Sequence, residues 1–242
     1  MRERRPDILN VRELTFARLV WRSFGAELFS ARTANIADMM RKIVSACGSN
    51  SGILLDLGCG DGSLGKILSR NVSLQMAVGI DVLHRKEFKK GGPVCFVVGD
   101  AIRLPFQESF TCITCVSLIE HIREGLREQL YASIKSVLKK EGLLLIQVPN
   151  RYFIVDSHTL LPMIGYLPGS IQARFNSLWV DGYCSIPSLQ TIIQQISQNS
   201  FRVLSIERLS LPLSKTSRLA RLLAFVLNRI CPTGFVITAV RT

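Results

Sequence analysis

A short glycine-rich turn after an apolar run constrains the fold of this chain more than any other segment. Residues 53–57 read Ile-Leu-Leu-Asp-Leu, and Gly58, Gly60 and Gly62 then recur at every second position. Such a run predicts a buried strand, and the glycines permit a positive φ and a close approach of the backbone to a ligand. The helix predicted over residues 63–70 aims its free N–H groups at the same place, which suits a carboxylate or a phosphate. The segment therefore predicts a strand that enters a ligand-binding loop.

A second acid extends this segment into a nucleoside-type site. The apolar run over residues 77–80 ends on Asp81, which Val82 follows. A carboxylate at the end of the second strand of a βαβ unit accepts hydrogen bonds from ribose hydroxyls. The two segments together predict a cofactor that contains adenosine.

Two cofactor chemistries compete for the glycine loop. Residues 60–65 match the dinucleotide fingerprint G-x-G-x-x-G, which favours NAD. In that motif the first glycine directly follows the strand, so this register leaves Asp56, Gly58 and Cys59 without a role. A start at Gly58 instead puts Ser63 where the third glycine belongs. The pattern D-x-G-x-G-x-G, which begins at Asp56, uses every special residue and is the better match.

In that pattern, residues 54–62 resemble motif I of the class I S-adenosylmethionine-dependent methyltransferases. Residues 99–101 and 112–122 resemble two later segments of the same family, and the second contains the Glu-His pair that often ends its fourth strand loop. The resemblance implies S-adenosylmethionine as the cofactor. The residues that it implies as cofactor-binding are Asp56, Gly58, Cys59, Gly60 and Gly62 at the methionine end, Asp81 and Val82 at the ribose, Asp100 and Ala101 at the adenine, and Ser117 after the fourth strand.

Two histidines are the candidates on the side of the methyl acceptor. His121 follows the fourth predicted strand, and with a pKa near 6.5 a histidine can remove a proton from an acceptor hydroxyl or amine. The alternative is that His121 only caps or packs at the start of a helix. His158 lies in residues 151–184, an aromatic-rich stretch that leaves the carboxyl end of the fifth strand. That stretch is either a substrate-side insertion or a surface excursion whose aromatic side chains pack on the sheet.

No metal site is predicted. The Glu-His pair also resembles the ubiquinone- and menaquinone-type methyltransferases, in which E-x-x-E-H can hold a divalent ion, but Ser117 replaces the first glutamate. Cys112 and Cys115 lie three apart on a predicted strand, so their sulfur atoms point to opposite faces and cannot share one ion.

Predicted strands and helices alternate along the chain. The strands cover residues 53–57, 77–81, 94–98, 112–116, 143–148, 201–207 and 235–240, and the helices cover residues 14–29, 34–46, 63–70, 124–138, 188–197 and 217–230. This order predicts an α/β fold: a doubly wound, seven-stranded, mostly parallel Rossmann-like sheet with helices on both faces and a substrate-side insertion after the fifth strand.

A single methyltransferase domain is predicted for the 242 residues, since no Pro/Gly/Ser-rich linker divides them. Its parts would be N-terminal helices that can act as a lid (1–50), a cofactor-binding core (51–150), the insertion (151–184), and C-terminal helices and strands (185–242). Seven cysteines, an odd number with no signal peptide, predict a reduced cytoplasmic chain.

The formal charge of +12 is concentrated near the end of the chain, where residues 202–242 hold seven basic residues and one acid. Residues 217–230 combine an apolar face with Arg218, Arg221 and Arg229. That profile suits weak peripheral contact with an anionic membrane, but equally a helix that packs on the sheet with a solvated basic face. Nucleic acid is a less favoured partner, because no RNA-binding module or dense Lys/Arg run accompanies the core.

The leading prediction is therefore methyl transfer from S-adenosylmethionine to a small acceptor. An apolar or lipid-linked compound near a membrane fits this prediction. A non-catalytic protein of the same fold is the alternative, and an RNA methyltransferase ranks third.

Overall fold

The computed structural model describes residues 36, 38, 41, 52–71, 74–83, 94–154, 163–168, 171–172, 184–209 and 231–242. The helices predicted over residues 14–29 and 217–230 lie outside these ranges, and so does His158. Of the helix predicted over residues 34–46, Ile36, Asp38 and Arg41 are described, and all three are helical.

Seven strands and three α-helices have defined bounds within the described part of the chain. The strands are β1 (Ile53–Leu57), β2 (Met76–Asp81), β3 (Cys95–Val98), β4 (Phe110–Val116), β5 (Leu138–Pro149), β6 (Phe201–Leu209) and β7 (Gly234–Arg241). The helices are α1 (Ser63–Asn71), α2 (Arg127–Val137) and α3 (Leu189–Gln198), with 3₁₀ turns at Ile119–His121, Glu124–Leu126 and Ile164–Tyr166.

The strands form one sheet in the order β3-β2-β1-β4-β5-β7-β6. Strands β1 to β5 are parallel, whereas β7 runs antiparallel to both β5 and β6. The predicted seven-stranded, mostly parallel α/β sheet is confirmed. Because the chain passes from β1 to β2 on one side and reaches β4 on the other, a crevice opens at the carboxyl ends of β1 and β4.

Helices cover both faces of this sheet, as predicted. Leu54 belongs to the core under α1, together with Leu64 and Leu68, while its neighbour Leu55 belongs to the core on the side of α2 and α3. The helix predicted over residues 188–197 packs in this second core, since Ile192 and Ile196 are fully buried and Leu189 packs beside them. Cys112 and Cys115 lie in opposite cores, as their spacing predicts.

Two element boundaries differ from the prediction by three residues or more. The helix expected over residues 124–138 begins at Arg127, because Glu124–Leu126 forms a separate 3₁₀ turn. The fifth strand begins at Leu138 rather than at residue 143, directly after α2. Glu141 has a φ of +59°, so a residue in the left-handed region lies within this strand. Among the described residues, no helix combines the length and the apolar character needed to cross a membrane.

Candidate active site

The glycine loop after β1 has the conformation that its sequence predicts. Gly58, Gly60 and Gly62 have φ values of +64°, +56° and +73°, in the left-handed region that glycine adopts without strain. A Cβ added at Gly58 would lie 3.0 Å from Cδ1 of Leu118, so a side chain there would also fill the space above the loop. The loop therefore forms a bare backbone surface at the crevice.

Backbone hydrogen bonds tie the first half of this loop to β2. The N–H groups of Gly58 and Cys59 both donate to the carbonyl oxygen of Ile80, at 2.8 and 3.1 Å. The N–H of Gly60 donates to Oδ2 of Asp81 at 3.0 Å, and the N–H of Leu83 donates to Oδ1 of the same side chain at 2.9 Å. Asp81 is thus held at the crevice beside the glycine loop, as the order of the two segments in the sequence predicts.

Asp56 lies beneath the loop rather than in the crevice. Its carboxyl group is 3% exposed and accepts a hydrogen bond of 2.8 Å from Oγ1 of Thr114 on β4. Burial raises the pKa of Asp56 to about 7, although hydrogen bonds from Thr114 and from the backbone of Gly65 in α1 act in the opposite direction. Asp56 therefore connects β1, β4 and the first turn of α1.

Asp61 stabilises the start of α1 from the loop. Its carboxylate accepts from the Ser63 N–H at 3.0 Å and from the Ser63 hydroxyl at 2.7 Å. Partial burial raises the pKa of Asp61, but the two bonds from Ser63 outweigh it and the pKa is lowered overall. The ionised side chain is thus favoured where a helix N-terminus attracts negative charge.

A cleft of about 330 Å³ opens at the carboxyl ends of β1, β2 and β3, with the segment after β4 as its fourth wall. It is lined by Gly58, Ile80, Asp81, Val82, Gly99, Asp100, Ala101, Ile102, Leu118, His121, Ile122, Arg123 and Leu126. Asp100 is positioned by a bond of 3.1 Å from the Ile102 N–H to its Oδ1. The lining combines two carboxylates with several apolar side chains, as a nucleoside requires.

Six of the residues predicted from sequence line this cleft, namely Gly58, Asp81, Val82, Asp100, Ala101 and His121. The other described candidates, Asp56, Cys59, Gly60, Gly62 and Ser117, shape the loops around it and are not part of the lining. The apolar wall formed by Leu118, Ile122 and Leu126 was not predicted from the sequence. Their spacing of four residues, just after the fourth strand, is the signal that could have identified them.

The segment after β4 is fixed by a strained residue and a buried arginine. Ser117 has a φ of +50°, and its hydroxyl donates to Oε1 of Gln147 on β5 at 2.9 Å. Beyond it, Glu120 is fully buried and His121 is exposed. Arg127, itself buried, donates to the carbonyl oxygen of Ile122 at 3.2 Å. His121 is therefore presented to the cleft from a well-anchored turn.

The described part of the insertion after β5 exposes apolar side chains. Tyr152 and Tyr166 are in ring contact, with centroids 5.3 Å apart, and the Tyr166 hydroxyl donates to the Tyr152 carbonyl oxygen. Asn150 has a structural role: its side chain donates to Pro232 and accepts from the N–H of Tyr152. Exposed side chains here are Tyr152, Ile154, Met163, Tyr166, Leu167 and Ile171.

Comparison with known proteins agrees with this geometry. A model of the methyltransferase domain family matches residues 30–206. A comparison with curated protein sequences gives no match.

Solved structures share the fold at low sequence identity. An S-adenosylmethionine-dependent methyltransferase from Mesorhizobium loti is 15% identical with a TM-score of 0.61, over 79% of this chain and 91% of that one. The 1,6-didemethyltoxoflavin-N1-methyltransferase of Burkholderia thailandensis is 15% identical with a TM-score of 0.58, over 94% and 89%. The magnesium protoporphyrin IX methyltransferase of Synechocystis is 14% identical with a TM-score of 0.57, over 94% and 95%.

The chain belongs to the methyltransferase domain family. Together with the strand order and the glycine loop, this membership defines a class I S-adenosylmethionine-dependent methyltransferase, so the predicted enzyme class and cofactor are confirmed. The NAD alternative and the non-catalytic alternative are set aside for the same reason.

Proposed function

We propose that the cleft binds the adenosine part of S-adenosylmethionine and that the glycine loop receives its methionine end. The observation that carries this proposal is the position of Asp81, which lies in the cleft lining and is fixed by the N–H groups of Gly60 and Leu83. Asp81 would accept from the ribose hydroxyls and Asp100 from the adenine amino group. Val82 and Ala101 would contact the nucleoside through apolar surface.

Asp56 would act on the cofactor through the protein rather than by contact. Its bonds to Thr114 and Gly65 hold the first turn of α1 against β4. The N–H groups of Ser63, Gly65 and Lys66 in that turn donate to Asp61, Asp56 and Gly62, so the start of α1 has a fixed position beside the loop. Asp56 would therefore fix the backbone that borders the methionine end.

The acceptor would enter beside the segment after β4. S-adenosylmethionine supplies a methyl group that its sulfonium already activates, so the protein has mainly to align the acceptor and exclude water. His121, exposed in the wall of the cleft, would accept a proton from the acceptor hydroxyl or amine. The apolar wall of Leu118, Ile122 and Leu126 would exclude water from this site.

A small organic molecule is the proposed acceptor, and an apolar or lipid-linked compound is the finer proposal. Structures of similar fold include enzymes that are named for toxoflavin-type and porphyrin substrates. The exposed side chains of the insertion, such as Tyr152, Met163 and Tyr166, support an apolar acceptor, because they are large and lie just beyond the end of β5. His158 in the same insertion would assist on the acceptor side.

Replacing Asp81 tests the proposed cofactor site. We expect Asp81→Ala to abolish calorimetric binding of S-adenosylmethionine, because the ribose then loses its acceptor and Gly60 loses a bond that shapes the loop. The circular dichroism spectrum should not change, since Asp81 is the last residue of its strand. Glu128→Ala, at an exposed position of α2, is the matched control and should bind normally. Undiminished binding by Asp81→Ala would remove Asp81 from the site.

A further inference from the structure

Phe96 on β3 fills the space between the second half of the glycine loop and the sheet. The edge of its ring faces Gly62: a Cβ added at Gly62 would lie 2.4 Å from Cζ and 2.5 Å from Cε1 of Phe96. Since Cβ atoms essentially never come within 3.0 Å of another heavy atom, there is no room here for a side chain. The ring therefore limits how far Gly62 can move toward the sheet.

The ring can reach this position because its neighbour on β2 is a glycine. Phe96 pairs with Gly79 in the parallel ladder between β2 and β3. A Cβ added at Gly79 would lie 3.1 Å from Cδ1 of Phe96 and 2.8 Å from Sγ of Cys59, a residue of the glycine loop. Gly79 thus leaves the space into which both Phe96 and Cys59 pack.

Lys66 restricts the ring from the side of α1. Its ammonium nitrogen lies 5.9 Å from the ring centroid of Phe96, within the range of a cation–π contact. The same nitrogen donates to the carbonyl oxygen of Asp61 in the glycine loop at 2.9 Å. The ring is therefore in contact with the loop directly, through Gly62, and indirectly, through Lys66.

We infer that Phe96 is a positioning residue for the cofactor: it holds Gly62 and the first turn of α1 in the conformation that receives the methionine end. The first half of the loop is fixed from β2, by the carbonyl oxygen of Ile80 at Gly58 and Cys59 and by the Asp81 side chain at Gly60. In the second half, the Gly62 N–H donates to Cys59 and its carbonyl oxygen accepts from Lys66, and Phe96 adds a packing constraint on the side of the sheet. Phe96 is not part of the cleft lining, so it acts through the loop. The inference rests on the proposed assignment of the loop to S-adenosylmethionine.

The test compares two ligands on one variant. Phe96→Leu removes the ring edge but keeps an apolar side chain, so the loop should leave its binding conformation for part of the time. If the loop is in its binding conformation for about a tenth of the time, the apparent dissociation constant of S-adenosylmethionine rises about tenfold. The affinity for 5′-methylthioadenosine, which lacks the methionine end, should change less than about twofold on the same reasoning. Calorimetry on the folded variant measures both.

Phe201→Leu is the matched control, because Phe201 is buried on β6, at the opposite edge of the sheet from β3. It should lower the melting temperature and leave both affinities unchanged. Unchanged affinity of Phe96→Leu for S-adenosylmethionine, or equal losses for the two ligands, would overturn the inference.

A second variant decides the matter if Phe96→Leu does not fold. Gly79→Ala places a methyl group between Phe96 and Cys59 and should weaken S-adenosylmethionine selectively as well; an unchanged affinity would overturn the inference. Failure of the wild-type protein to bind S-adenosylmethionine would overturn the site assignment and this inference together. Normal binding by the wild-type protein and by the variant would overturn this inference alone.

Discussion

Asp56 shows how one buried residue can serve the cofactor site without lying in it. Its carboxyl group is held by Thr114 from β4 and by the backbone of Gly65 in α1, and burial raises its pKa to about 7. A carboxyl group in the unfolded chain has a pKa of about 3.9. The folded state therefore binds a proton at Asp56 that the unfolded state has released at mildly acidic pH.

This difference predicts that Asp56 makes the wild-type protein less stable as the pH rises. Because the pKa is raised on folding, the stabilising contribution of the protonated form is complete below pH 4 and is lost as the pH passes through 7. We expect the loss of this contribution to lower the free energy of unfolding by roughly 2–3 kcal/mol between pH 5 and pH 8. Urea unfolding at several pH values measures this slope, relative to Asp56→Asn.

The readout for that comparison is the pH dependence and not the absolute stability of the variant. Asparagine cannot ionise, so the difference in stability between the two proteins should shift in favour of Asp56→Asn as the pH rises. Asp61→Asn is the control, because the pKa of Asp61 is lowered, so its contribution is complete above about pH 4 and should stay constant between pH 5 and pH 8. Parallel curves for the wild type and Asp56→Asn would contradict the raised pKa.

The polar residues of this site were easier to predict from the sequence than the contacts that these residues make. The three glycines and Asp81 could be predicted, since a positive φ and an acid at a strand end have local sequence signatures. The contacts of Phe96 with Gly62 and of Asp56 with Thr114 join residues far apart in the chain. Nothing in one local window specifies such pairs, because the register of the folded sheet creates them.

At the level of elements, one arginine joins the wall of the cleft to the segment that follows the insertion. Arg127 is the first residue of α2 and is 2% exposed. Its Nε donates to the carbonyl oxygen of Ile122 at 3.2 Å, and its Nη2 donates to that of Ser185 at 2.7 Å. The N–H of Ser185 donates in turn to the carbonyl oxygen of Glu120 at 2.7 Å. The turn that carries His121 is thus bonded to the chain just before α3.

We expect Arg127→Met to destabilise the protein, because it leaves the half-buried carbonyl groups of Ile122 and Ser185 without their donor. Each such group costs about 1–3 kcal/mol when it loses its partner. Urea unfolding measures the loss, and hydrogen exchange should show faster exchange at the Ser185 amide. Arg202→Met, on an exposed position of β6, should change stability by less than about 0.5 kcal/mol. An equal effect of both variants would contradict the role given to Arg127.

The boundaries of β5 and α2 are features of the secondary structure that the local sequence does not predict. Residues 143–148 are apolar except for Gln147 and predict a strand, but the ladder with β4 already includes the pair of Phe110 and Leu138. The polar residues between, which read Lys-Lys-Glu-Gly, favour a turn, and Glu141 does adopt a left-handed φ. Pairing with β4 extends the strand through this turn, which a pattern in β5 alone does not reveal.

At the level of the whole molecule, the cleft is built on the parallel strands of the sheet, and the antiparallel strands lie beyond it. The described lining of the cleft comes from the parallel strands β1 to β4 and from the segments that follow them. The antiparallel pair β6 and β7 continues the sheet beyond β5, and Asn150 connects the start of the insertion to the entry of β7 through Pro232 and Thr233. The proposed acceptor side is thus bonded to the entry of β7, and residues 210–230, which precede β7 in the sequence, are basic.

That basic sequence predicts a measurable affinity for anionic membranes. The chain carries a formal charge of +12, and residues 210–230 contain four basic residues and no acid. We expect vesicles of phosphatidylglycerol to sediment the protein at low salt and vesicles of phosphatidylcholine to leave it in solution. The interaction should weaken as salt is added, because the screening length falls from about 30 Å at 0.01 M to about 10 Å at 0.1 M.

Charge at this segment, rather than net charge in general, should carry the affinity. Each basic residue near an anionic surface contributes about 1 kcal/mol, so Arg218→Gln with Arg221→Gln should reduce vesicle binding by roughly tenfold or more. Lys139→Gln with Lys140→Gln, at exposed positions of β5, removes the same charge elsewhere and should have little effect. Equal losses in the two double variants would assign the binding to net charge alone. No sedimentation of the wild-type protein with phosphatidylglycerol at low salt would rule out membrane contact, and a small soluble acceptor would then be the better proposal.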